Sequence, residues 1–209
     1  MATHLDEQES LDNFKHFWKG WGRWLFAMLV AAALAYLGYV LYQNHLVKKD
    51  QEAADILAQM VEKAQSRGDQ NAIRADLAKL QENYPDSIAA AQATLMAAAT
   101  EFDNGKYDVT EGHLNWVLKN QKAPLVQALA SQRLAVVYLQ QKKYDQALTA
   151  LDTQVAPDFE PLLLETKGDV YLAQGKQKEA LDTYEQVLAK LPKEATNKEL
   201  VQLKIDQLK

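Results

Sequence analysis

Hydrophobic and polar positions fall into two regimes along the chain. From Trp24 to Tyr42 the sequence WLFAMLVAAALAYLGYVLY is almost wholly apolar and carries no charged side chain. Its 19 residues, at about 1.5 Å each, make a helix of roughly 28 Å, the thickness of a bilayer's hydrocarbon. From residue 45 onward, apolar residues recur at three- and four-residue spacing with no alternating run. That period predicts helices throughout and no sheet.

The flanks of the apolar stretch read as membrane interfaces. Trp18, Trp21 and Trp24 precede it, and Tyr36, Tyr39 and Tyr42 close it; amphipathic aromatics favour the headgroup level. A cleaved signal peptide would carry an apolar core of about 7–15 residues behind a short basic lead. This stretch is longer and begins after 23 residues, so it reads as a retained anchor. Lys15, Lys19 and Arg23 lie before it against Lys48 and Lys49 after it, a margin too thin to orient it by charge. Ala27, Ala31 and Ala35 form a small-residue stripe through which another membrane helix could pack closely, although alanine as apolar filler explains the stripe equally well.

The polar regime repeats. Residues 161–194 place Gly168, Tyr171, Gly175, Ala180, Tyr184 and Pro192 where the 34-residue tetratricopeptide pattern has small, aromatic, turn, small, aromatic and helix-stopping residues. Ala135, Tyr138, Ala147 and Leu151 match one unit earlier, with Lys142-Lys143-Tyr144 at the turn. Phe102, Asn104-Gly105, Tyr107 and Leu114 match before that, and Gly68, Leu77, Leu80 and Pro85 align with Gly175, Tyr184, Val187 and Pro192. Four hairpins follow, near 54–87, 91–124, 128–160 and 161–194, with an amphipathic helix around Ala195–Leu208 covering the end. Lys167 and Thr110-Glu111 depart from the pattern. The expected architecture is all-α: one transmembrane helix (24–44) after a short N-terminal segment (1–23), then a tetratricopeptide-like right-handed solenoid (45–209).

Composition narrows the function. No cysteine is present, which excludes disulfides, thiolate metal sites and a lipoprotein anchor. Acidic side chains outnumber basic ones 28 to 23, without a basic stripe, so nucleic acid is a poor partner. His4, His16, His45 and His113 are scattered, no glycine loop suits a phosphate, and carboxylate pairs such as Glu165 with Asp169 read as a solvated helix face. No catalytic, cofactor or metal site is expected. Binding remains, and the tetratricopeptide resemblance places Met96, Thr100 and Asp103, then Gln132, Val136 and Leu139, then Glu165, Asp169 and Leu172 along the groove of the first helices. These are apolar, neutral or acidic, so the groove is expected to favour apolar or basic segments over carboxylates. Val136 and Leu139 could equally pack the next hairpin.

The order FKHFWKGWGRW (Phe14–Trp24), apolar span, NHLVKKDQEAA (Asn44–Ala54), YPDSIAAAQA (Tyr84–Ala93) and SQRLAVVYLQ (Ser131–Gln140) resembles the YfgM family of bacterial inner-membrane proteins along nearly the whole chain. That resemblance implies a cytoplasmic N-terminus, a periplasmic repeat domain and an ancillary role at the SecYEG translocon. It also implies pairing with a PpiD-like membrane-anchored chaperone and contact with unfolded secreted clients. The alternative is a structural assembly or regulatory factor for an envelope complex, or a cytosol-facing receptor, without client binding.

Overall fold

The computed structural model describes residues 18–66, 68–192 and 194–209. Most of the expected segment 1–23 therefore lies outside the described residues. The described residues are helical, without a strand: a π-helical turn Trp18–Gly22, then α1 (Arg23–Gln65), α2 (Gln70–Asn83), α3 (Ile88–Asp103), α4 (Tyr107–Asn120), α5 (Pro124–Gln140), α6 (Tyr144–Leu151), a 3-10 turn Pro157–Phe159, α7 (Glu160–Ala173), α8 (Gln177–Lys190) and α9 (Lys198–Asp206). The chain divides into two compact units, Met1–Lys49 and Asp50–Lys209.

In the first unit, α1 begins with an apolar stretch long enough to cross a membrane, none of it buried against protein. Trp24, Met28, Leu29, Leu34, Tyr36, Tyr39 and Tyr42 all stand exposed. Such a surface is unfavourable in water and natural in lipid, where a continuous helix satisfies every backbone group. The helix continues past residue 44 to Gln65.

The second unit is built of hairpins. The C-terminal part of α1 pairs with α2, α3 with α4, α5 with α6 and α7 with α8, and α9 follows. Three of the turns share one geometry. Gly105, Lys142 and Gly175 have φ of 73°, 58° and 77°. Behind them the N–H groups of Lys106, Lys143 and Lys176 donate to the carbonyls of Glu101, Tyr138 and Tyr171. This is a Schellman closure, which uses carbonyls that the helix end would leave unpaired. Glycine adopts it freely; Lys142 holds the same left-handed conformation at a penalty of about 1–2 kcal/mol. Ser87 caps α3 by accepting from the N–H of Ala90, and Asp69 caps α2 through Asn71.

Small side chains bring paired helices together. Ala98 with Thr110, Ala135 with Ala147, and Gly168 with Ala180 are all buried. Thr110, a departure from the repeat pattern, fits because its hydroxyl donates to the Lys106 carbonyl at 3.1 Å, so its own buried oxygen is not left unpaired. Around these contacts lie three apolar clusters. One lies at the first hairpin (Ala53, Ile56, Met60, Leu77, Leu80), one in the middle (Leu114, Leu134, Val137, Leu151, Val170), and one at the end, where Val201 and Ile205 of α9 pack on Ala180, Tyr184 and Val187.

Candidate protein-binding groove

Each expected groove residue sits on the first helix of its hairpin, but they do not form one uniform surface. Asp103, Gln132 and Val136 share a cavity of about 250 Å³ with Phe102, Leu114 and Arg133. Gln132 also donates to the Thr166 hydroxyl of the following hairpin at 3.2 Å. Met96 and Thr100 line a different, larger cavity of about 650 Å³ between the first and second hairpins. Leu139 is half-buried and packs against the central core, whereas Leu172 remains exposed.

Glu165 and Asp169 differ from their expected reading as a solvated helix face. Lys204 of α9 reaches both carboxylates, at 3.0 Å and 2.8 Å. Asn197 donates to Glu165 at 3.2 Å, and the Tyr184 hydroxyl donates to Asp169 at 2.7 Å. Lys204 also stands 5.3 Å from the centroid of the Tyr184 ring, a cation–π contact. The physical reason is the end of the stack. α9 contacts the fourth hairpin where a fifth hairpin's first helix would stand, as α7 does behind Gln132, and its one lysine bridges both carboxylates and offsets half of their charge. Burial disfavours the Lys204 ammonium, but its hydrogen bonds to Asp169 and Glu165 outweigh this and raise its pKa. Burial, and then the bond to Asp169, raises the Tyr184 phenol strongly. Tyr138 repeats the theme one hairpin earlier: burial, helped by its bond to Glu111 at 2.7 Å, pushes it up to about 12.

Two residues have roles that the sequence pattern does not mark. Gln121, just past α4, is 3 % exposed, and its amide donates to the carbonyls of Pro85 and Ser87 at 2.7 and 3.1 Å. It thereby ties the second hairpin to the loop ahead of α3. Lys204 lies 35 to 39 positions from its partners, and no local pattern separates it from Lys198 on the same helix. Among the described residues, no group of three or more His, Asp or Glu side chains could hold a metal ion. Ala27, Ala31 and Ala35 stand exposed along one face of α1.

Residues 15–209 match the model of the tetratricopeptide repeat-like domain. The chain is 64% identical over 209 residues to the ancillary SecYEG translocon subunit of Neisseria gonorrhoeae, covering 100% of both chains. It is 24% identical to the ancillary SecYEG translocon subunit of Escherichia coli, over 100% of this chain and 99% of that one. With the protein of the same name from Haemophilus influenzae it shares 21% identity over 89% of this chain and 90% of the other.

Proposed function

The chain belongs to the tetratricopeptide repeat-like family that includes the ancillary SecYEG translocon subunits, and on that premise we propose that it is a membrane-anchored, protein-binding scaffold at the SecYEG translocon of the inner membrane. The observation that carries this reading is the full-length 64% identity to a protein of that name. The similarity covers the residues of the apolar span as well as those of the repeats. The fold supports the same reading. Stacked hairpins present a row of first helices, and the side chains there suit recognition of polypeptide more than bond-making.

In this reading the apolar part of α1 spans the inner membrane, with the N-terminus cytoplasmic and residues 45–209 periplasmic. The domain is an adaptor without catalytic activity. It meets a PpiD-like anchored chaperone and translocated, still unfolded clients. The cavity holding Asp103, Gln132 and Val136 takes apolar or basic segments, in keeping with its apolar walls and the Asp103 carboxylate, Arg133 standing on the same cavity as the opposing charge. A second reading, a scaffold without client binding, draws on one observation: α9 already occupies Glu165 and Asp169, which shortens the accessible groove.

Two measurements test this. Single cysteines at Ala2 and Gln207 report topology; labelling of Gln207→Cys from the cytoplasmic side alone removes the proposal. A photocrosslinker at Gln132 should yield adducts with translocon components and with nascent secreted chains. Adducts to one stable partner and none to nascent chains would favour the scaffold reading.

A further inference from the structure

The first hairpin lacks the small pair that closes the others. Aligned on its turn glycine, Gly68 with Gly175, it carries Val61 where the fourth hairpin has Gly168, and Ile73 where that hairpin has Ala180. Branched residues thus stand in sequence where the fourth hairpin has its small pair, and Ile73 packs on the first-hairpin cluster and lines the cavity beside it. That cavity, of about 650 Å³, is walled by α1, α2, α3 and α4. That volume lies within the roughly 300–1,000 Å³ of ligand-holding sites. Its walls are apolar (Met60, Ile73, Leu77, Met96 and Val109), and the two thioethers can adapt to differently shaped guests.

The polar rim has a sign. Glu101 pairs with Lys106 at 2.9 Å, and Asp76, which does not line the cavity, pairs with Lys63 at 2.6 Å. Arg74 lines the cavity, stands exposed and makes no ion pair within 4 Å among the described residues, although its charge, behind that of Lys106, helps hold the Glu101 carboxyl below its ordinary range, so the rim carries more cationic than anionic groups. One planar cation, suited to a two-point grip on a carboxylate, is therefore left at the edge of an apolar chamber.

We propose that this chamber seats a polypeptide segment of a partner protein that carries a large apolar anchor with a carboxylate beside it. The anchor enters between Met60, Leu77 and Met96, and the carboxylate meets Arg74. The proposal rests on the reading of the domain as a polypeptide binder and names a partner chemistry opposite to that expected for the rest of the groove. The test uses the full chain in lipid nanodiscs and fluorescence anisotropy of labelled twelve-residue peptides. One peptide bears a Leu-Phe pair flanked by two glutamates; its counterpart has two lysines in their place. The glutamate peptide should bind at least ~10-fold tighter than the lysine peptide, about the discrimination expected for a charged hydrogen-bonded pair. Arg74→Glu should invert the preference and Arg74→Ala should abolish it. Ala78→Trp, which fills the chamber, should weaken both peptides, while the distant Glu185→Arg should change neither.

Equal affinity for the two peptides, or a preference unmoved by Arg74→Glu, overturns the proposal. So does an equal response to Glu185→Arg, which would mean that net charge alone matters. Saturable binding of sodium oleate at the chamber without any peptide binding would assign it to a lipid acid and overturn the proposal as well. If neither peptide binds but Gln132 still crosslinks to polypeptides, this inference falls alone; if both are silent, the functional reading falls with it.

Discussion

Replacing Gly168 by alanine isolates what holds the fourth hairpin and α9 together. A methyl group built on Gly168 would lie 2.4 Å, 2.7 Å and 3.0 Å from three ring carbons of Tyr184, well inside van der Waals contact. The ring cannot swing away cheaply. It is fully buried, its hydroxyl is bonded to Asp169, and Val201 and Ile205 pack in the same cluster. Overpacking of this kind typically destabilises by about 1–3 kcal/mol. If the ring yields by breaking its bond to the Asp169 carboxylate, a further ~1.5–3 kcal/mol is lost. Alanine returns about 1 kcal/mol through helix propensity. The balance is a destabilisation of roughly 2–4 kcal/mol, which for a chain of this size lowers the melting temperature by roughly 4–15 °C. Because hairpin stacks lose cooperativity locally, amide hydrogen exchange should show α7, α8 and α9 losing protection first, with α3 and α4 little changed. Circular dichroism melts combined with a double-mutant cycle against Tyr184→Leu complete the assay. Removing the ring should make Gly168→Ala nearly harmless, a strongly non-additive pair. A melting temperature unchanged or raised by Gly168→Ala, or effects that simply add, would show that propensity wins and that the close approach does not govern this hairpin.

Other outcomes follow from the same contacts. Gln121→Ala leaves the Pro85 and Ser87 carbonyls without their amide partner and should destabilise by about 1–3 kcal/mol, read by urea unfolding; Gln121→Glu, which removes the donating amide, should do no better. Tyr184 and Lys204 hold their protons more tightly in the folded chain than their ordinary values of 10.0 and 10.5. Their contribution is therefore complete below about pH 10 and is lost as pH rises beyond it, so alkaline titration should release α9 first; Lys204→Met should remove part of that dependence, and a flat stability from pH 9 to 12 would contradict it. Val136→Asp should weaken crosslinking from Gln132 to apolar segments by ~10-fold or more, since it replaces an apolar wall with a second carboxylate beside Asp103 in the smaller cavity, while leaving the Tyr184 cluster intact by hydrogen exchange.

Much of the architecture was legible in the residue pattern because it is local. An uncharged run of Leu, Ala and Val can satisfy its backbone only as a helix in lipid, whatever else the chain does. Gly105 and Gly175 announce left-handed turns because few other residues adopt that backbone freely, and the spacing of small residues around them marks which helices pair. Lys142 shows the limit of that logic. It holds the same turn with a lysine, and only the spacing from its neighbours gave it away. The N-terminal boundary of the domain was less legible, since no proline or glycine lies between Asn44 and Gln65 to stop α1, so anchor and first hairpin share one helix.

What the amino-acid order by itself determined, then, is the apolar span, the hairpin count and the faces each helix turns inward. The tertiary structure decided what those faces meet. Lys204 became the partner of Glu165 and Asp169, Gln121 the clasp on Pro85 and Ser87, and Ile73 part of the wall of an open chamber. Periodicity within a helix fixes the direction of a side chain through 3.6 residues per turn. The distance between helices depends on volumes summed across several of them at once, and that sum is not written in any single stretch of chain.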